Sequence, residues 1–547
     1  MIFLASPAAC MILITFLTAN SHPVIGMDSR SSRQTLDPLI FFNVSEAADI
    51  TWGHAINSRA LLDASLADDA MMMLEADVSL QGVDNVPFMA HSSADASDIT
   101  LDEWLSRVID DGRKGIKLDF KTKEVALASV PVLDLYLARI KVPLWLNADI
   151  ISPGPADSTA TAVDPLVFLT NVGAKFPQST LSIGWTTSCP VGLCGTARYS
   201  WEHVFAMMTV IDDHLTTDAT SLQPITFPVR AAFLGRSVPQ LRWLLDVLAE
   251  RDASLTAWTN IADVNYTSVN MLLDFRQEFP GRAVYFDLLD FQSTEFKSRK
   301  GNHSPKPPAS QSDYNLSHMI QPYDPPGSVA GREVFIGSEA VVLRNGQGFR
   351  VQSAGYAEAT SFEFSSSCYY SRNGQASDGM SVTLRPGCTS GSLRFSIQTS
   401  GRLALSQCIP GAGVDCSVPL QWTTVWTRDI GAFTDSFQIT VTDDIARNLA
   451  RFTLLTENKR RIIREQNFPS SPESHVGETP PIVTFDSATR AGFLVVQTVS
   501  VTIEYSNNPG SPVTVLPPGS TTVSSSVASL PFGLVMMFVL AFLPLLS

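Results

Sequence analysis

The residue types most able to do chemistry gather between His54 and His91. They read His54-Ala-Ile-Asn57, then Leu74-Glu75-Ala-Asp77-Val78, then Met89-Ala-His91, each beside an apolar run. A third stretch, Gly115-Ile-Lys117-Leu-Asp119-Phe-Lys121, alternates polar and apolar residues. In an extended chain this puts Lys117, Asp119 and Lys121 on one face and Ile116, Leu118 and Phe120 on the other. Glu75 and Asp77 share a face by the same period. Glu75, Asp77 and Asp119 together make the oxygen-ligand set that a hard divalent cation, Mg2+ or Ca2+, favours. Two imidazoles beside such a site suit a proton acceptor and a proton donor, or a nucleophile and an acid, in cleaving a phosphate ester. Lys121 could then hold the non-bridging oxygens. Taken singly, each of these residues is as readily a buried ion-paired group; their order along the chain is what groups them.

The elements that must position them follow a regular pattern. β-type runs at 50–56, 71–79, 115–121, 143–150, 180–186, 224–234, 254–259 and 283–289 alternate with amphipathic helical stretches such as Leu101-Asp-Glu-Trp-Leu-Ser-Arg-Val-Ile. That is the number and length of units in a (β/α)8 TIM barrel, spanning about residues 40–292. No Gly-rich phosphate loop follows the first strand, which argues against a doubly wound dinucleotide-binding sheet. In such a barrel the polar face of the third strand points inward, and the strand ends carrying His54, Glu75, Asp77, Asp119 and Lys121 meet at one mouth. Lys117, Asn147, Asp149 and Arg230 also fall near strand ends, as candidate phosphate contacts or, equally, as members of surface or buried ion pairs.

A proline-rich linker is expected over 293–331. Beyond it, short β-prone runs separated by Gly, Ser and Asn turns predict an antiparallel β-sandwich over 332–506, with one helix inserted at Arg447 to Arg464. No cluster of His with Asp or Glu occurs there, and no chemistry is assigned to it. The N-terminal apolar run followed by small residues reads as a secretory signal over 1–21. At the other end, a Ser/Thr/Pro-rich stalk at 507–529 and an apolar tail at 530–547 without a basic stop match a GPI-attachment signal better than a membrane span. The expected location is therefore the extracellular face of the plasma membrane, with the outer leaflet reached through a lipid anchor. Once Cys10 is removed with the signal, six cysteines remain, and spacing favours disulfides between Cys189 and Cys194, Cys368 and Cys388, and Cys408 and Cys416. Sequons at Asn43, Asn265, Asn302 and Asn315 suit the same compartment. The net charge of −15, from 53 acidic and 38 basic residues, without a basic stripe, argues against a nucleic-acid partner.

The runs Gly53-His54-Ala-Ile-Asn57, Leu74-Glu75-Ala-Asp77-Val78, His91 and Leu118-Asp119-Phe-Lys121 resemble the phospholipase C-like phosphodiesterase superfamily. That superfamily includes the glycerophosphodiester phosphodiesterases and the sphingomyelinase D enzymes. Thr51-Trp-Gly-His-Ala-Ile-Asn-Ser58, Met72-Met-Leu-Glu-Ala-Asp-Val78 and Met89-Ala-His91 are more closely similar to the menorin family. The resemblance covers about residues 40–290. It implies His54 and His91 as a catalytic pair, Glu75, Asp77 and Asp119 as metal ligands, and Lys121 on the phosphate. It also implies Trp258 as a wall of the substrate pocket, and Asn57, at a position where sphingomyelinase D-like enzymes also carry Asn, as a substrate contact. Ala55 departs from the glycerophosphodiesterase pattern, which has Arg there. The expected activity is phosphodiester cleavage on glycerophosphodiesters or phospholipid headgroups. The alternative is a non-catalytic ligand or adhesion cue that keeps the barrel and meets an extracellular protein partner.

Overall fold

A computed structural model describes residues 35–505 and 513–514, apart from 83, 216–222, 304–319, 324–333, 338–339, 345, 352–358, 372–373, 387–390, 410–420, 433–435, 470–480 and 488–491. The signal-like run, Cys10, Asn315, Cys388, Cys416, most of the stalk and the apolar tail lie outside the described residues.

The first half is a nearly closed sheet of eight parallel strands. They are β1 (Trp52–Gly53), β2 (Met73–Gln81), β4 (Gly115–Phe120), β5 (Leu144–Ile151), β6 (Thr180–Trp185), β7 (Ile225–Arg230), β8 (Ser254–Trp258) and β9 (Val284–Asp287), hydrogen-bonded in that order. The extra strand β3 (Val86–Met89) runs antiparallel to β2 and delivers the chain to His91. Helices cover the outside, several starting on a hydroxyl cap: Ser58, Thr100, Thr122, Ser200 and Ser268 each accept a backbone N–H from the first turn. Outward-facing Leu74, Ala76, Val78, Ile116, Leu118 and Phe120 are buried under these helices. The sequence alternation therefore does what its period requires, and the polar alternates face in.

Inside the barrel an apolar floor comes first. Trp52, Met73, Trp145 and Tyr285 form a separate small core with Leu39, Ala47 and Ile50 from the segment before β1. The Trp145 ring lies 5.3 Å from Trp52 and 4.9 Å from Tyr285. Ion pairs of Asp37 with Arg282, Glu46 with Arg276 and Asp49 with Lys300 fasten that segment. Polar residues begin one layer higher. Glu75 is in register with Lys117, while Asp77, Asp119, Asn147 and Ser182 are in register across β2, β4, β5 and β6.

The segment expected as a linker opens inside a helix, Asp290–Lys300, and returns a strand at Ile320–Tyr323. The second half is built of a seven-stranded and an eight-stranded antiparallel sheet whose inner faces share one core. The helix expected between Arg447 and Arg464 is absent; strands Leu449–Thr456 and Arg461–Asn467 form a hairpin there. Its alternating Ala450, Phe452 and Leu454 fill the core, and burial of that face outweighs helix propensity. Cys368 is also corrected: its thiol is free and buried, 3.4 Å from Ser366 Oγ and 3.8 Å from Met380 Sδ. The strand points it into the sheet core as a small hydrophobe. Cys189 and Cys194 are disulfide-bonded, and Cys408 is in a disulfide.

The β-domain is docked on the barrel. Phe205 of helix Trp201–His214 stacks 4.4 Å from Phe493, and Trp243 of helix Val238–Val247 meets Phe335 at 6.4 Å. Arg344 Nη1 donates to Thr209 Oγ1 at 3.3 Å, and the Tyr369 hydroxyl donates to Glu202.

Candidate active site

The loop leaving β1 makes the first part of the site. Ala55 adopts a left-handed conformation, φ 53°, which turns the chain sharply enough for Asn57 N–H to reach Ala55 O at 2.7 Å. The same turn aims Ala55 N–H at Glu75 Oε2, 2.8 Å away, and lets Asn57 grip Asp77 twice. Asn57 Nδ2 donates to Asp77 Oδ2 at 2.8 Å, and Asp77 N–H donates to Asn57 Oδ1 at 2.9 Å. Asn147 Nδ2 donates to Asp119 Oδ1 at 2.6 Å, and Asn147 Oδ1 accepts from Ser182 Oγ at 2.5 Å. Asn57 and Asn147, expected on substrate, thus orient carboxylates. Lys121 Nζ bridges Asp77 Oδ1 and Asp119 Oδ2, 2.5 Å from each.

Ligand atoms from Glu75, Asp77 and Asp119 lie within 4.8 Å of one another. Three carboxylates on two adjacent strands, two of them buried, fit a hard divalent cation in donor type and spacing. A second cluster of Cys189, Cys194 and Asp263 has comparable spacing, but its two sulfurs are bonded to each other and cannot ligate.

Each histidine is anchored through Nδ1. His54 Nδ1 lies 3.2 and 3.1 Å from the Asp287 oxygens and 3.5 Å from Glu75 Oε2, and His91 Nδ1 lies 3.6 Å from Asp77 Oδ1. Asp287 pushes the His54 imidazole up to about 10, against the opposing effect of burial and with help from Glu75. His91 is raised by its bond to Asp77, with Lys121 opposing. Burial, then the charge of Asp77, pushes Glu75 up to about 7. Burial acts upward on Asp77 too, but His91, Lys121 and Asn57 outweigh it and hold that carboxyl far below its usual range. Burial likewise opposes ionisation of Asp287, and the His54 and Lys117 charges overcome it.

Other expected residues serve elsewhere. Lys117 is buried, 3.7 Å from Asp287 Oδ2 and above the Trp52 ring, and is committed to the interior. Arg230 makes a buried bidentate pair with Asp263, both bonds 2.7 Å, and its guanidinium lies 5.1 Å from the Trp258 ring. Tyr199, whose hydroxyl accepts Arg230 N–H at 2.8 Å, buttresses the same corner. Trp258 is in register with Asp287, so it borders the His54 side of the mouth. Asp149 stands on β5 one inward step beyond Asn147, where burial and then Asp119 push it up to about 7. Its place requires Gly184, since a Cβ there would come 2.6 Å from Asp149 Oδ1.

Sequence reasoning missed Asp287. Its signal was available: it lies near the end of the eighth run, two residues after Tyr285 and so on the same face by the period of two. Asp263 gave no such signal, because it belongs to a short turn after β8.

Residues 46–293 match the family model of the Menorin N-terminal domain. Human Protein FAM151B is 40% identical over 259 residues, covering 47% of this chain and 88% of that protein. The chain belongs to the menorin family. Among solved structures, the botulinum neurotoxin serotype D binding domain matches 36% of the menorin-family chain and 45% of its own, at 11% identity and a TM-score of 0.23. Lectin I-B4 from Griffonia simplicifolia matches 35% of this chain and 95% of its own, at 9% identity and 0.24. At those scores neither likeness supports an inference. Among the described residues no helix is long and apolar enough to cross a membrane.

Proposed function

We propose that this menorin-family protein is a metal-dependent phosphodiesterase, working at the extracellular face of the membrane on glycerophosphodiesters or phospholipid headgroups, in a TIM barrel of the phospholipase C-like type. The observation that carries this reading is the convergence of three carboxylates within 4.8 Å with two histidines whose Nδ1 atoms face carboxylate oxygens at 3.1 and 3.6 Å. Fold maintenance alone does not require two imidazoles and three acids at one mouth.

Glu75, Asp77 and Asp119 would hold the cation, which supplies charge neutralisation for a phosphate oxygen. Asp287 and Asp77 hold the Nδ1 atoms of His54 and His91, so each ring offers Nε2 to the substrate. The pair then divides proton acceptance from the nucleophile and donation to the leaving alkoxide. Burial of Asp287 and Glu75 beneath His54 keeps that ring oriented, and Trp258 supplies an apolar wall. Secretion and a GPI anchor would bring the mouth to lipid substrates.

The test is turnover of a lysophospholipid and glycerophosphodiester panel with Mg2+ or Ca2+ by the secreted chain, beside His54→Ala and His91→Ala. Loss of turnover in both variants is expected. Turnover that survives in both would remove the histidines from the chemistry, and a wild type inert across the panel would sink the enzymatic reading.

A further inference from the structure

We infer that Lys121 competes with the divalent cation for the same carboxylate oxygens, so that cation binding releases its ammonium to meet the substrate phosphate. The inference rests on the cation site proposed above and assigns Lys121 a part in coupling cation to phosphate.

The accounting of oxygens carries it. The three carboxylates offer six. Asn57 occupies Asp77 Oδ2, Asn147 occupies Asp119 Oδ1, and Ala55 N–H occupies Glu75 Oε2. Three accept no backbone or amide donor: Asp77 Oδ1, which His91 Nδ1 also approaches to 3.6 Å, Asp119 Oδ2 and Glu75 Oε1. Lys121 Nζ holds the first two, 2.5 Å from each. A Mg2+ or Ca2+ ion sits roughly 2.0–2.6 Å from its oxygen ligands. An ion bridging those two oxygens would therefore stand almost where the ammonium stands, and the two cannot share the position. The other oxygens are held by Ala55 N–H and Asn57 from the tight turn after β1 and by Asn147 on β5, so the flexible lysine is the partner that yields. Lys121 lies at the C-terminal edge of β4, with 24% of its side chain exposed, and has room to swing toward the mouth. Lys117 brings the same charge to the barrel interior without touching Asp77 or Asp119, since its ion pair is with Asp287. It therefore serves as the control that separates competition from simple repulsion.

Two measurements test this on the full chain. In the first, calorimetric titration with Mg2+ or Ca2+ compares wild type, Lys121→Met and Lys117→Met. Because two charge-assisted hydrogen bonds no longer have to be given up, Lys121→Met should bind the cation at least about tenfold more tightly, and Lys117→Met much less so. Equal gains in the two variants would reduce the effect to repulsion, and an unchanged or weaker affinity in Lys121→Met would overturn the inference while leaving the cation site standing. No binding by any form would instead defeat the cation site. The second measurement needs no variant: amine acylation of the wild type, read at the Lys121 peptide by mass spectrometry, should rise several-fold when cation saturates the site. Reactivity that stays flat or falls while calorimetry shows the cation bound would refute displacement.

Discussion

Replacing Asp287 by Asn tests the His54 anchor most directly. The carboxylate is fully buried and lies 3.1 Å from His54 Nδ1 and 3.7 Å from Lys117 Nζ. It holds the imidazole at about 10, where the ordinary value is 6.5. That interval corresponds to a ceiling of roughly 5 kcal/mol. With 42% of the His54 side chain exposed, solvent screening brings the contribution nearer to about 2 kcal/mol. A histidine whose folded pKa is raised stabilises the protein fully below its unfolded value, and the contribution fades as pH climbs through the folded one. Asp287→Asn should therefore cost about 2 kcal/mol or more at pH 6 and distinctly less at pH 10.5. The His54 pKa itself should fall, because burial and Lys117 then act on it with Glu75 as its remaining carboxylate. Urea unfolding at the two pH values gives the first quantity, and histidine-selective NMR titration gives the second. The reasoning is refuted if the stability loss is the same at both pH values or if the His54 titration does not move.

Other consequences can be measured alongside. Asp263→Ala strands the buried Arg230 guanidinium and should cost about 3–5 kcal/mol in unfolding free energy; a loss below about 1 kcal/mol would show that the pair is not what holds the Trp258 corner. Asp149 has its pKa raised by burial, so its ionisation opposes folding above the ordinary carboxyl range. Asp149→Asn should raise Tm at pH 8.5 and leave it nearly unchanged at pH 4, and equal shifts at both would count against this. Phe493→Ala removes the ring stacked on Phe205 and should cost about 3–5 kcal/mol, with new protease cleavage between residues 300 and 335 as the sign that the domains have parted.

Much of the barrel was legible because a parallel sheet wrapped in helices leaves a simple trace, apolar runs with inward polar alternates. Glu75, Asp77, Asp119 and Lys121 could be placed on one face from period alone. What each side chain does there was not legible. Asn57 and Asn147 hold carboxylates, and Lys117 and Arg230 are paired with Asp287 and Asp263. Pairing of that kind depends on which strand ends lie side by side, and residues over two hundred positions apart, such as His54 and Asp287, show no local pattern. In the second half, the stretch from Arg447 to Arg464 carried charges at helical spacing, yet the alternation of Ala450, Phe452 and Leu454 against a sheet core decided its structure. The docking of that half through Phe205, Trp243, Phe335 and Phe493 left no separate mark, because aromatic residues at an interface look the same in sequence as those in a core.

The contact between His54 and Asp287 joins the two edges of the parallel sheet, one residue lying just after its first strand and the other ending its last. During synthesis the carboxylate triad is complete once residue 119 has been made, but His54 gains its partner only when residue 287 has emerged and β9 has added to β8. A chain cut short before β9 would keep Glu75, Asp77 and Asp119 but leave His54 with Glu75 as its remaining carboxylate neighbour. Completion of the sheet and the seating of His54 against Asp287 are thus one event.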